Sequence, residues 1–159
     1  MKISTDPAPP SIALPLSLRT IDQLLADIAA PLVVCRFLLS EGSGMGMTRT
    51  FFINGKSFDM QRIDTVVRVG AVERWDVENT STMDHPLHVH GTLFQVISRI
   101  RNGREVAEPF IAWRDTVNVP PNSTTLFLIR QNDLGKRRYH CHILEYEDRG
   151  MMGMLNVVD

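Results

Sequence analysis

Residues 139–152 read YHCHILEYEDRGMM, and the fold can be worked outward from the first five of them. Tyr139 to Ile143 is a short run of the aromatic and branched residues that favour a β-strand. Side chains alternate across a strand, so His140 and His142 share one face and Cys141 points to the other. One strand therefore carries metal-binding side chains on both sides.

A second stretch, HPLHVHG at residues 85–91, holds His85, His88 and His90, and with His140 and His142 these are the five histidines of the chain. By the same alternation His88 and His90 point one way. Imidazole suits copper, zinc and iron, whereas a thiolate with two imidazoles and a weak axial thioether makes a blue copper centre, so the donor types favour copper. A structural zinc site would more usually show paired C-x-x-C or a closed four-ligand set. A cupin-like site would want a glutamate soon after H-x-H, where this chain has GTLFQV.

The rest of the chain supplies short β-favouring runs separated by turn residues: LVVCRFLLS, TRTFFI, KSFDM, DTVVRV, VERWDVEN, LFQVISRI, DTVNV, TTLFLIR and MLNVV. Asn54-Gly55 is a two-residue hairpin signal, and Gly70, Asn102-Gly103 and Pro120-Pro121-Asn122 mark further turns. Many short strands at this spacing predict an all-β, antiparallel sandwich or barrel. Ahead of them, residues 1–18 are proline-rich and aperiodic and read as a linker or extended strap, leaving 19–159 as one domain. Thr20-Ile21-Asp22-Gln23 resembles a capping box and predicts one short helix from Ile21 to about Ala29, before Pro31.

At 159 residues, with 43% hydrophobic and 22% charged residues, the chain is sized and balanced for a single globular core. A formal net charge of -1 gives no pull toward nucleic acid or an anionic membrane. No run approaches the roughly 18 apolar residues of a bilayer span, and MKISTDPAPPSIALPLSL breaks its apolar stretch with proline, so neither a span nor a signal peptide is expected. Two cysteines, Cys35 and Cys141, make no disulfide framework.

HPLHVHG and HCHILEYEDRGMM together resemble the two copper motifs, H-P-x-H-x-H-G and H-C-H-x-x-x-H-x-x-x-x-M, of the last cupredoxin domain of laccase-like multicopper oxidases. The likeness runs from FFINGKSFDMQRID through WRDTVNVPPN to the end of the chain. It implies a cupredoxin-like Greek-key β-sandwich, copper as cofactor, and export to the periplasm or cell exterior. It also implies that His85, Cys141 and Met151 belong to the type 1 copper, His88 to the type 2 copper, and His90, His140 and His142 to the type 3 pair. Glu147 matches the acidic residue that supplies protons where dioxygen becomes water. The implied activity is one-electron oxidation of a small-molecule or metal-ion reductant coupled to that reduction.

Two departures stand out. The pattern places a second type 1 histidine at position 146, where this chain has Tyr146. A neutral phenol is a poor copper ligand and a phenolate would favour the oxidised metal, so Tyr146 is expected to be a packing residue in an altered type 1 site. The trinuclear cluster of the family also takes four histidines from another domain, so this chain needs partner domains of the same oxidase or an oligomeric partner.

Among the other candidates, Cys35 is expected to be a buried free thiol, and Trp75 and Trp113 core residues. Met45, Met47, Met152 and Met154 are expected as loop or core methionines with a lesser claim as thioether ligands. Asp84 and Asp115 are candidates to orient ligand imidazoles through their carboxylates.

Overall fold

The computed structural model describes residues 20–27, 32–43 and 49–159. The strap at 1–18, Met45, Met47 and the end of the expected first helix lie outside the described residues. Twelve strands are formed among the described residues: β1 Val33–Ser43, β2 Arg49–Ile53, β3 Thr65–Arg68, β4 Val72–Asn79, β5 His85–Val89, β6 Phe94–Arg101, β7 Arg104–Ala107, β8 Trp113–Arg114, β9 Thr116–Val119, β10 Ser123–Arg130, β11 Gly135–Cys141 and β12 Met152–Val158.

Alternation along these strands builds a two-layer core. In β4, Glu73, Trp75, Val77 and Asn79 turn inward, while Arg74, Asp76 and Glu78 between them are more open. One sheet has the order β2-β1-β4-β10-β6-β7 with β8 also on β6, and the other β3-β12-β11-β5-β9. The two curl toward each other as the half-barrels of a cupredoxin fold. Tyr139 of β11 crosses the gap to meet Trp75 at 5.7 Å and Phe37 at 5.2 Å, both edge to face. Such aromatic pairs add about 0.5–1.5 kcal/mol each beyond their burial.

The expected sandwich is present, but it is not purely antiparallel. β1 pairs with β4 and β3 with β12 in parallel. Parallel neighbours need a long connection, and here the intervening strands and loops supply it. KSFDM makes only a bridge from Ile53 to Lys56, because Asp59 then turns the chain by accepting the Gln61 amide with its carboxylate. At the N-terminal end the helical turn is a 3-10 turn, Leu24–Asp27, clamped to β6 by Gln95, which accepts from the Leu24 amide and donates to the Asp22 carbonyl. The α-helix of the described residues lies elsewhere, at Leu144–Asp148 (α1). Five residues are too few to show a helical period.

Trp75 is fully buried, as expected, whereas Trp113 is half-buried against a second, smaller cluster of Leu24, Val72 and Leu128 outside the main core. Cys35 is a free thiol, also half-buried. It faces Glu73 Oε2 at 3.7 Å, an oxygen that also accepts from the Trp75 indole at 3.2 Å. Burial, then the Glu73 charge, pushes the Cys35 thiol up to about 12, and burial raises Glu73 as well.

Two outcomes follow. Gly153 lies opposite Tyr139 across β11 and β12, and a Cβ there would press into the phenol ring. Gly153→Ala should therefore destabilise the domain by about 1–3 kcal/mol in urea unfolding. Because the folded pKa of Cys35 is raised, any stability tied to its neutral thiol is complete below about pH 9 and is lost as pH rises toward 12. At pH 8 iodoacetamide should label Cys35 on the order of a hundredfold more slowly in the native chain than in urea, read by mass spectrometry.

Candidate metal centres

The pairing of β5 with β11 sets His88 opposite His140, with Leu87 opposite Cys141 and Val89 opposite Tyr139. Since neighbours along each strand face opposite ways, this register gathers imidazoles on the outer face and sends Cys141 into the core. On the outer face one ligand atom each from His88, His90 and His140 lies within 4.8 Å of the others. The His142 ring, just past the end of β11, stands 5.4 Å from His88 and 5.6 Å from His140. All four cluster histidines are thus neighbours, with His140 buried and His90 and His142 exposed.

The second nitrogen of two rings is already used. His88 Nδ1 faces the Asp115 carbonyl at 2.9 Å and the Thr116 hydroxyl at 3.0 Å. His140 Nδ1 faces the Cys141 carbonyl at 3.0 Å and Glu147 Oε2 at 3.2 Å. A nitrogen held against a carbonyl carries the proton, so the Nε2 of each ring presents its lone pair to the cluster. His90 Nε2 lies 2.9 Å from His140 Nε2, close enough to share one proton. Burial and the neighbouring His140 and His88 keep His90 below the usual histidine range, which favours its neutral, ligating form. Converging imidazoles, two of them with the second nitrogen held, fit a copper site.

The inner side is drier. His85, Cys141 and Met151 are fully buried, and Cys141 Sγ lies 3.7 Å from His85 Nδ1. Backbone hydrogen bonds from the Cys141 amide to the Met151 carbonyl at 3.0 Å, and from the Met151 amide to the Tyr146 carbonyl at 2.9 Å, close the loop around α1. That closure brings the Met151 backbone back beside Cys141, with both side chains buried. Burial pushes the Cys141 thiol up to about 11, so without metal it stays protonated. Imidazole, sulfur and thioether together are the soft set copper prefers.

Tyr146 enters this pocket from α1. Its ring lies 4.2 Å from Phe51, tilted by 30°, and 5.4 Å from His85, edge-on. Burial raises its pKa, so the phenol is neutral at physiological pH. In this geometry it packs in the space beside His85.

Two expected contacts are different. Asp115 orients His88 through its backbone carbonyl, not its carboxylate. The Asp84 carboxylate accepts from Asn118 at 2.7 Å, and His85 is held instead by Ser81, with Oγ 2.8 Å from Nε2. Met152 and Met154 are buried strand residues. Ser81 and Thr116 were not singled out from sequence. Thr116 is opposite His88 only through the β5–β9 register, which no local pattern reveals.

Fold and donor geometry define a copper-protein architecture, and comparison with known proteins bears this out. A family model described as "Multicopper oxidase" matches residues 36–159. The chain belongs to the multicopper oxidase family, copper-binding oxidoreductases. It is 39% identical over 116 residues to "Multicopper oxidase mco" of Staphylococcus aureus, covering 70% of this chain and 26% of that protein. The solved multicopper oxidase of Campylobacter jejuni, titled a metallo-oxidase, superposes with a TM-score of 0.81 at 38% identity, over 94% of this chain and 34% of the other. The laccase of Pediococcus acidilactici does so with a TM-score of 0.78 at 38% identity, over 94% and 31%. The chain thus spans about a quarter of the S. aureus relative and about a third of these structures.

Thr116→Val removes one of the two acceptors on His88 Nδ1 while leaving the fold's volume unchanged. Copper affinity of the histidine cluster should fall by about tenfold, measured by chelator competition.

Proposed function

We propose that this chain is the last cupredoxin domain of a laccase-like multicopper oxidase, with 19–159 as the domain and 1–18 as the strap leading into it. The observation that carries the reading is the division of donor side chains about the β5–β11 pair: His88, His90, His140 and His142 gather on its outer face, while His85 and Cys141 meet inside and Met151, tied to Cys141 through the backbone, is buried on that side. In this reading the inner set is the type 1 site and the outer set is half of the trinuclear cluster. His88 serves type 2 and His90, His140 and His142 serve type 3. The missing imidazoles come from other cupredoxin domains of the same oxidase, or from an oligomeric partner. Compartment is proposed as periplasmic or extracellular; no helix among the described residues is long and apolar enough to cross a membrane.

Copper, when bound, supplies one-electron transfer from a reductant and reduction of dioxygen to water. The chain's residues provide what surrounds that chemistry. Cys141 sits between His140 and His142 in sequence, so the covalent backbone itself connects the inner and outer sites. Glu147 contacts His140 Nδ1 at 3.2 Å, where a carboxyl group can hold a proton beside the cluster and pass it on. Phe51 and Tyr146 exclude water from the His85 side. Phenols, aromatic amines and metal ions are the reductant classes the family resemblance implies.

A specific observation favours a second reading. Tyr146, neutral and packed on Phe51, stands where the family pattern puts an imidazole. With the type 1 site impaired, the domain would serve as a non-enzymatic copper-binding or structural module.

Oxygen uptake by the intact protein carrying this domain, supplied with a phenolic reductant, separates the two. Turnover that falls at least a hundredfold on His140→Ala supports the oxidase; no turnover with copper loaded supports the module. The isolated chain should not turn over in either case. The copper-loaded native chain should show weak or no thiolate-to-copper charge transfer, and Tyr146→His should produce an intense blue band. A strong blue band in the unaltered chain would sink the packing role of Tyr146.

A further inference from the structure

Ser81 lies in the bend between β4 and β5, away from every ligand motif, yet it is 4% exposed and aims its hydroxyl at His85. The bend is tied down by Asn79, itself fully buried. Asn79 Nδ2 donates to the Met83 carbonyl at 2.8 Å and to the Val119 carbonyl at 2.9 Å, and its Oδ1 accepts from the Ser81 amide at 2.9 Å. Both donors and the acceptor of this amide are in use, so the position of Ser81 is fixed by the backbones of two neighbouring elements.

The hydroxyl has three partners within reach: the Met83 carbonyl and the Met83 amide, each at 3.2 Å, and His85 Nε2 at 2.8 Å. A hydroxyl owns one proton and two lone pairs. Given to the Met83 carbonyl, that proton leaves both lone pairs free, one for the Met83 N–H and one for a His85 Nε2–H. Every group is then satisfied, and His85 Nδ1 is left as an acceptor for the Cys141 thiol 3.7 Å away. In the opposite arrangement the hydroxyl donates to Nε2, the ring proton moves to Nδ1, and the buried Cys141 S–H loses that acceptor. That second arrangement makes one hydrogen bond fewer and gives the ring N–H to sulfur, a weaker acceptor than the hydroxyl oxygen.

We propose that Ser81, held by Asn79, is a positioning residue: it locks His85 in the Nε2–H tautomer and aims the Nδ1 lone pair along the line to Cys141 Sγ. The ring is thereby set before any metal arrives, with His85 Nδ1 and Cys141 Sγ as the donor atoms that would hold copper. This rests on the reading of His85, Cys141 and Met151 as the remnant of a type 1 centre. It goes beyond that reading in giving the loop a part in it.

The test uses the full metal-free chain labelled with nitrogen-15 histidine and long-range nitrogen–proton correlation spectra, which distinguish ring tautomers. Native protein and Ser81→Thr, which keeps the hydroxyl, should show His85 as a single Nε2–H species. Ser81→Ala should give a mixture of tautomers. A second arm loads copper into the Tyr146→His background, where adding Ser81→Ala should weaken the charge-transfer band and lower copper affinity about tenfold, with threonine restoring both.

An Nδ1–H tautomer in the native chain overturns the proposal, as does a Ser81→Ala spectrum indistinguishable from native. A role confined to stability would lower the unfolding midpoint and leave the tautomer alone. If Ser81→Ala does not fold, the native and threonine spectra still decide, because both must show Nε2–H. A hydroxyl-dependent tautomer with no charge transfer in Tyr146→His supports the positioning role and overturns the type 1 reading.

Discussion

The antiparallel contact of β5 with β11 is the constraint on which the rest depends. Its register puts His88 across from His140 and Leu87 across from Cys141. A slip of one residue would exchange the faces, burying imidazoles in the core and turning the thiol to solvent. Both candidate sites are consequences of one ladder, and the inner core secures it. Tyr139, next to His140, is gripped by Trp75 and Phe37 from the opposite sheet and covers Gly153 on the neighbouring strand. Packing energy from the middle of the sandwich thereby helps fix the register of this interior ladder.

The two sides of that ladder differ in how their polarity is managed. Outside, the Asp115 and Cys141 carbonyls, Thr116 and Glu147 engage the Nδ1 atoms of His88 and His140 and so orient the two rings, and parts of the cluster stay open to whatever covers them. Inside, water is excluded and each donor is satisfied within the protein: His85 by Ser81, Cys141 by His85, and the Cys141 and Met151 backbones by one another and by α1. Burial keeps the thiol neutral until a cation replaces its proton.

Much of this was legible in the residues themselves. VERWDVEN and TTLFLIR declare strands by composition, and the histidines declare the site because every one of them falls in two short motifs. What was hidden was relational. Thr116 and the Asp115 carbonyl reach His88 only after β9 pairs with β5, and Ser81 reaches His85 only after Asn79 folds the bend. The parallel pairings of β1 and β3 likewise depend on how the chain crosses between sheets, which local periodicity does not encode. KSFDM has strand-like composition, and a carboxylate turn at Asp59 overrides it.

The loop around α1 is closed by main-chain amides and carbonyls, from Cys141 to Met151 and from Met151 to Tyr146, and such bonds are blind to side-chain identity. The ends of the loop are therefore held by bonds that a substitution at position 146 does not itself remove. This makes α1 an interchangeable cassette: position 146 can lose or regain a ligand without unravelling the scaffold. On the proposed reading of the inner site as a type 1 centre, a lineage carrying this fold could impair that site by one codon change, keep the outer histidines, and later reverse the step.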